Sequence, residues 1–104
     1  MRLGEVAHVR TGDKGDSLQV AVIAYREDGY PLLTRTLTAA RIVAHLPRLG
    51  EEVIVVRHEL ATLGALLFVL DGALAGGVTR SLSLDAHGKT LGMQLLDLEL
   101  EDHG

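Results

Sequence analysis

Apolar positions in this chain fall in short runs separated by glycine-containing polar turns, and their spacing changes along the sequence. Leu3–Arg10 alternates imperfectly: Val6, His8 and Arg10 share one face, and Glu5, Ala7 and Val9 the other, which predicts a strand. Val20–Tyr25 is apolar on both faces, as expected of a central strand covered on both sides. The stretch between them, Arg10-Thr11-Gly12-Asp13-Lys14-Gly15-Asp16-Ser17, predicts a turn or loop at a sheet end. After the turn signal Glu27-Asp28-Gly29, Tyr30-Pro31 opens a helical stretch, with Pro31 suited to the first helical position. Thr38 is expected to cap a second helical segment, Ala39–Leu46, whose Ile42, Val43 and Leu46 form an apolar stripe. Pro47 and Gly50 close it.

Downstream, Glu52–His58 holds the β-branched run Val53-Ile54-Val55-Val56, a strong strand signal. Ala61–Leu74 is dominated by Leu and Ala, which predicts a helix stopped by Gly76-Gly77. Val78–Asp85 alternates as a half-buried strand. Asp85-Ala86-His87-Gly88-Lys89 then makes a hairpin connection to a strand through Leu91, Met93 and Leu95. The apolar phase slips at Leu95-Leu96, which predicts a β-bulge or a change of cover.

The resulting order is hairpin, helix, strand, helix, hairpin. Helical crossovers return parallel strands and hairpins give antiparallel ones, so the expected fold is α+β. It is a two-layer α/β sandwich with a mixed sheet of about four to five strands and two helices on one face. The other sheet face would need cover, which a second subunit could supply.

Composition narrows the function classes. The 104 residues fit one domain, 1–104, and 47% apolar residues support a real core. A chain this small buries a modest fraction of its surface, so a homo-oligomer is expected. With no cysteine, disulfide scaffolds and thiolate chemistry are excluded. A net charge of −4, dispersed basic residues and 3% aromatics argue against nucleic-acid binding. The longest apolar run, Ala65–Leu70, is too short to span a bilayer. No leader pattern follows Met1-Arg2, and the expected location is cytoplasmic.

The densest chemistry lies at Gly12, Asp13, Lys14, Gly15, Asp16 and Ser17. As a site, backbone N–H groups, one ammonium and two carboxylates would hold a small anion; as structure, the same residues make a self-bonded turn. The chain has only two lysines, Lys14 and Lys89, and each sits in a glycine-containing turn near an aspartate. The candidate site therefore joins the first turn to Asp85 and Lys89, with the two glycines expected to need positive φ or close backbone approach. Gly76 and Gly77 are included, although such a pair is more often a helix stop than a phosphate cradle and no helix start follows it. A cation held by Asp13, Asp16 and Asp85 is opposed by Lys14 and by the spacing. His8, His45, His58, His87 and His103 lack paired metal-ligand spacing. Ser17, Ser81 and Ser83 sit in no nucleophile-elbow pattern. No metal or other cofactor is expected.

Several blocks point to one family. They are Arg-Thr-Gly-Asp-Lys-Gly-Asp-Ser (10–17), Val-Ile-Ala (22–24), Tyr-Pro-Leu-Leu (30–33), Leu-Thr (37–38), Gly-Ala-Leu-Leu-Phe-Val-Leu (64–70), Gly-Gly-Val-Thr-Arg-Ser-Leu (76–82) and Leu-Asp-Ala-His-Gly-Lys-Thr-Leu (84–91). Together they resemble the C-terminal domain of the acyclic terpene utilisation protein AtuA and its stand-alone relatives, over nearly the whole chain. The resemblance implies a ferredoxin-like domain fused to, or encoded beside, a larger chain, in bacterial breakdown of acyclic terpenoids and related acyl compounds, at the acyl-CoA level. It supplies no catalytic residue, and motif positions alone carry over: 12–16, 76–77, Asp85, Gly88 and Lys89. The chain departs from the family pattern at Gln19 and Leu67, where asparagine is usual, and at Ala61-Thr62, where Pro-Asn is usual.

Two functions follow from different classes. One is an accessory or assembly subunit that oligomerises and partners a larger AtuA-like chain. The other is a small domain that binds or transforms an anionic metabolite, a CoA thioester or a phosphate, through the Gly-Asp-Lys-Gly-Asp loop. The sequence does not decide whether the protein is an enzyme.

Overall fold

A computed structural model describes residues 1–14, 17–45, 53–72 and 95–100. It contains three α-helices and a four-stranded sheet, in the chain order α1 (Leu3–Val6), β1 (Ala7–Lys14), β2 (Ser17–Ala24), α2 (Gly29–Thr36), α3 (Ala39–His45), β3 (Ile54–Leu60) and β4 (Ala65–Asp71). A 3-10 turn at Ala61–Leu63 joins the last two strands. The spatial order is β1-β2-β4-β3, and the three pairings are antiparallel. The architecture is the expected α+β, ferredoxin-like one.

The expected mixed pairing is corrected in an instructive way. β2 and β3 are each antiparallel to β4, so they run parallel to each other, as strands joined by the α2–α3 crossover should. β4 inserts between them, making a split βαβ unit whose direct neighbours are all antiparallel.

That insertion overturns the helix expected at Ala61–Leu74. Leu and Ala suit a helix, but here Ala65–Asp71 is the strand that fills the centre of the sheet. Gly64 makes the change of direction possible. It sits in the left-handed region at φ 63°, which a side chain disfavours. Its carbonyl accepts from the Ala24 N–H at 2.9 Å, tying the turn to the end of β2.

Alternate residues of the central strands build the core. Leu18, Val20 and Val22 of β2 and Leu66, Phe68 and Leu70 of β4 are buried against Leu33 and Leu37 of the α2 segment and Ile42 of α3. Both helices therefore cover one sheet face. The Thr38 cap is present: the Arg41 N–H donates to Thr38 Oγ1 at 3.2 Å. α2 starts at Gly29, which moves Pro31 two places into the helix. Of the α3 stripe, Ile42 is buried and Val43 is exposed. Leu46, Pro47 and Gly50 lie outside the described residues.

β1 begins at Ala7, later than the alternation implied, because Leu3–Val6 forms one helical turn. The Glu5 carboxylate accepts from the Arg2 N–H at 2.6 Å and stabilises that turn. The segment 95–100 packs beside it through an Arg2–Glu99 antiparallel bridge and backbone bonds from Leu3 to Leu98 and from Leu100 to Met1, both 2.8 Å. The phase slip at Leu95-Leu96 is resolved by a short helical turn rather than a bulge, and Leu95, Leu98 and Leu100 are all buried. The strands and hairpin expected over 78–94 lie outside the described residues.

Candidate functional site

The β1–β2 hairpin fixes one half of the candidate site. Gly12, Asp13 and Lys14 are strand residues, not loop residues, paired with Gln19, Leu18 and Ser17. The antiparallel ladder extends farther than the polar composition suggested because β2 supplies a full set of partners. Gly12 is also corrected. Its φ is not positive, and an added Cβ would meet nothing within 4 Å. Neither turn geometry nor close approach therefore demands glycine at that position. Ser17 starts β2, and its hydroxyl donates to the Asp71 carboxylate at 3.0 Å. Asp71, at the end of β4, is a neighbour that sequence reasoning missed, because that segment was expected to be helical. Gly15, Asp16, Gly76, Gly77, Asp85 and Lys89 lie outside the described residues, so the proposed meeting of the two lysine turns rests on sequence.

The sheet face that is uncovered among the described residues is better defined. Residues opposite one another in a ladder share a face. On this face the register aligns Gly12–Gln19–Val69–Val56 and Arg10–Ala21–Leu67–His58 across the four strands. A third row runs His8–Ile23–Ala65–Leu60. Ala21, Ile23, Leu67, Val69 and Leu60 are part-buried, while Ile54 and Val56 are 63% and 43% exposed. A solvated face of an antiparallel sheet ordinarily alternates toward polar residues. Here the centre is apolar and the charged or titratable groups, His8, Arg10, His58 and Asp71, lie toward its margins. The β-branched run signalled β3. The misassigned helix hid Leu67 and Val69.

A cavity of about 360 Å³ opens at one end of the sheet, between the start of α2 and the β3–β4 turn, with Tyr25, Arg26, Glu27, Tyr30, Thr62 and Leu63 among its walls. The Tyr25 ring lies 5.4 Å from His8, centroid to centroid. The Tyr30 hydroxyl is buried and has no hydrogen-bond partner among the described residues.

Arg57 locks the helical layer to β3. Its guanidinium donates to the Thr34 and Leu37 carbonyls at 3.0 and 2.9 Å and to the Glu59 carboxylate at 2.7 Å. The Met1 amino group has its pKa raised by a hydrogen bond from the ammonium to the Glu99 side chain. Among the described residues no group of three or more His, Asp or Glu is placed to hold a metal ion, and no helix is long and apolar enough to cross a membrane.

Comparison with curated proteins and with solved structures gives no match. A family model does match, over residues 1–101, and it spans the split βαβ unit, the β1–β2 hairpin and the uncovered face alike. The chain belongs to the AtuA ferredoxin-like domain family.

Proposed function

We propose that this domain is an assembly subunit that self-associates and partners a larger AtuA-type chain, in the catabolism of acyclic terpenoids and acyl-CoA compounds. The observation that carries this reading is the apolar sheet face that, among the described residues, the helices leave uncovered, with Ile54 and Val56 exposed beside Leu67 and Val69. Apolar patches of this kind mark surfaces that other chains cover. Membership of the AtuA ferredoxin-like domain family supports an AtuA-type chain as the larger partner.

Co-expression with the AtuA-type chain of the same host tests the reading. The two chains should co-purify at fixed stoichiometry. Val69→Glu, which places a charge at the centre of the face, should abolish co-purification while leaving the circular dichroism spectrum unchanged. If the chains purify apart and the domain alone has single-chain mass, the reading is wrong.

The β1–β2 hairpin supports a second reading, binding of an anionic metabolite such as a phosphate or CoA thioester. The specific observation is that the Ser17 hydroxyl, which follows the Gly-Asp-Lys-Gly-Asp stretch in sequence, ties the start of β2 to Asp71 at the end of β4. Calorimetry with inorganic phosphate and coenzyme A tests it.

A further inference from the structure

Self-association needs a surface, and β3 offers one with its own register. Among the described residues β3 is an edge strand and pairs only with β4. Along Ile54–Leu60 the backbone groups of alternate residues point to its outer side, where they meet no strand among the described residues. We propose that β3 pairs antiparallel with β3 of a second copy, centred on His58, so that two four-stranded sheets become one of eight strands. This inference rests on the self-association proposed above and specifies how it occurs.

The register follows from elementary constraints. A two-fold axis relating two identical antiparallel strands makes each residue pair reciprocal. Outward-pointing backbone groups must meet outward-pointing ones, so the axis passes through a residue rather than between two. Centring on Arg57 sets Arg57 against its own copy, with Val55 facing Glu59. Centring on Val56 sets Val55 against Arg57 and Ile54 against His58. Centring on His58 sets Arg57 against Glu59 twice, Val56 against Leu60 twice, and His58 against itself. Of these three, only the last sets opposite charges against each other and Val56 against the apolar Leu60, with the His58 pair on the axis. Cross-strand pairs of these kinds stabilise a ladder, whereas like charges directly opposite destabilise it.

The local structure suits this pairing. Arg57 and Glu59 already form an ion pair of 2.7 Å within one chain, on the helix-covered side of β3. Pairing brings two such dipoles together head to tail as an alternating ring of four charges. On the opposite side, Val56 gains cover from Leu60 of the second copy. Charged residues on edge strands commonly discourage pairing. The sequence Arg57-His58-Glu59 instead favours the His58-centred register, because its two charges are of opposite sign and symmetric about the histidine.

The chain contains no cysteine, so a single introduced thiol reports without interference. Residues directly opposite in an antiparallel pair have Cα atoms about 4.5 to 5.5 Å apart, within disulfide range. His58→Cys under mild oxidation should give a disulfide-linked dimer, and Val43→Cys, on the exposed side of α3, should not. Glu59→Lys, which sets lysine against Arg57 twice, should weaken dimerisation about tenfold or more. If light scattering gives an oligomer while His58→Cys stays unlinked and Glu59→Lys leaves its affinity unchanged, this edge pairing is overturned and self-association stands. A wild-type protein of single-chain mass overturns both.

Discussion

Arg57 is the residue whose loss should most clearly separate the sheet from its helices. It projects from β3 under the end of α2, with 22% of its side chain exposed. One guanidinium nitrogen serves two carbonyls, of Thr34 and Leu37, that the α2 segment leaves unpaired at its C-terminal end. Hydrogen bonds to a charged group contribute about 1.5–3 kcal/mol each, and partial exposure lets water replace part of that. Arg57→Met keeps most of the apolar contact and removes both bonds, so a loss of about 2–4 kcal/mol is expected, near the lower end if water enters. Arg57→Lys should recover about half, because one ammonium cannot reproduce the planar fork. Glu59→Gln should cost under about 1 kcal/mol of folding stability, since the Glu59 side chain is 55% exposed. Urea unfolding at several protein concentrations separates loss of fold from loss of dimer, because only the latter depends on concentration. If Arg57→Met unfolds within about 0.5 kcal/mol of wild type at every concentration, the lock assigned to Arg57 is wrong.

Three smaller predictions follow from single groups. Tyr30→Phe should stabilise the fold by about 1 kcal/mol in thermal unfolding, because the hydroxyl it removes is buried without a partner among the described residues; destabilisation would mean the hydroxyl is bonded. Thr38→Ala should cost about 1 kcal/mol through loss of the α3 cap, read by urea unfolding, and a neutral result would discount that cap. If the hairpin binds anions, Lys14→Ala should weaken phosphate or coenzyme A binding by about 1–3 kcal/mol in calorimetry, and equal heats for both proteins would remove that reading.

Much of the fold was legible because local signals and tertiary demands agreed. The β-branched run at 53–56 belongs to the β3 region, and Thr38 caps the helix expected after it. The β1–β2 hairpin also formed where its flanking apolar runs placed it. Agreement failed at 61–71. There, helix-forming Leu and Ala occupy a strand whose place is set by β2 and β3 on either side, and ladder pairing outweighs propensity. Gly64 was the available signal, a glycine placed to reverse the chain between two strands. The same misassignment obscured the candidate surface, since Leu67 and Val69 face outward only if their segment is extended. At the hairpin the polar composition drew attention to Gly12, but the strand continues through it in open space. Composition there marked a place without determining its geometry.

Self-association is the most exposed claim, and one measurement bears on it directly. Light scattering coupled to size exclusion, at about tens of micromolar and moderate salt, reads the mass of the native particle without a partner or a probe. The account predicts a particle of two chains or a multiple of two, dissociating on dilution. A single-chain mass across that concentration range would contradict it.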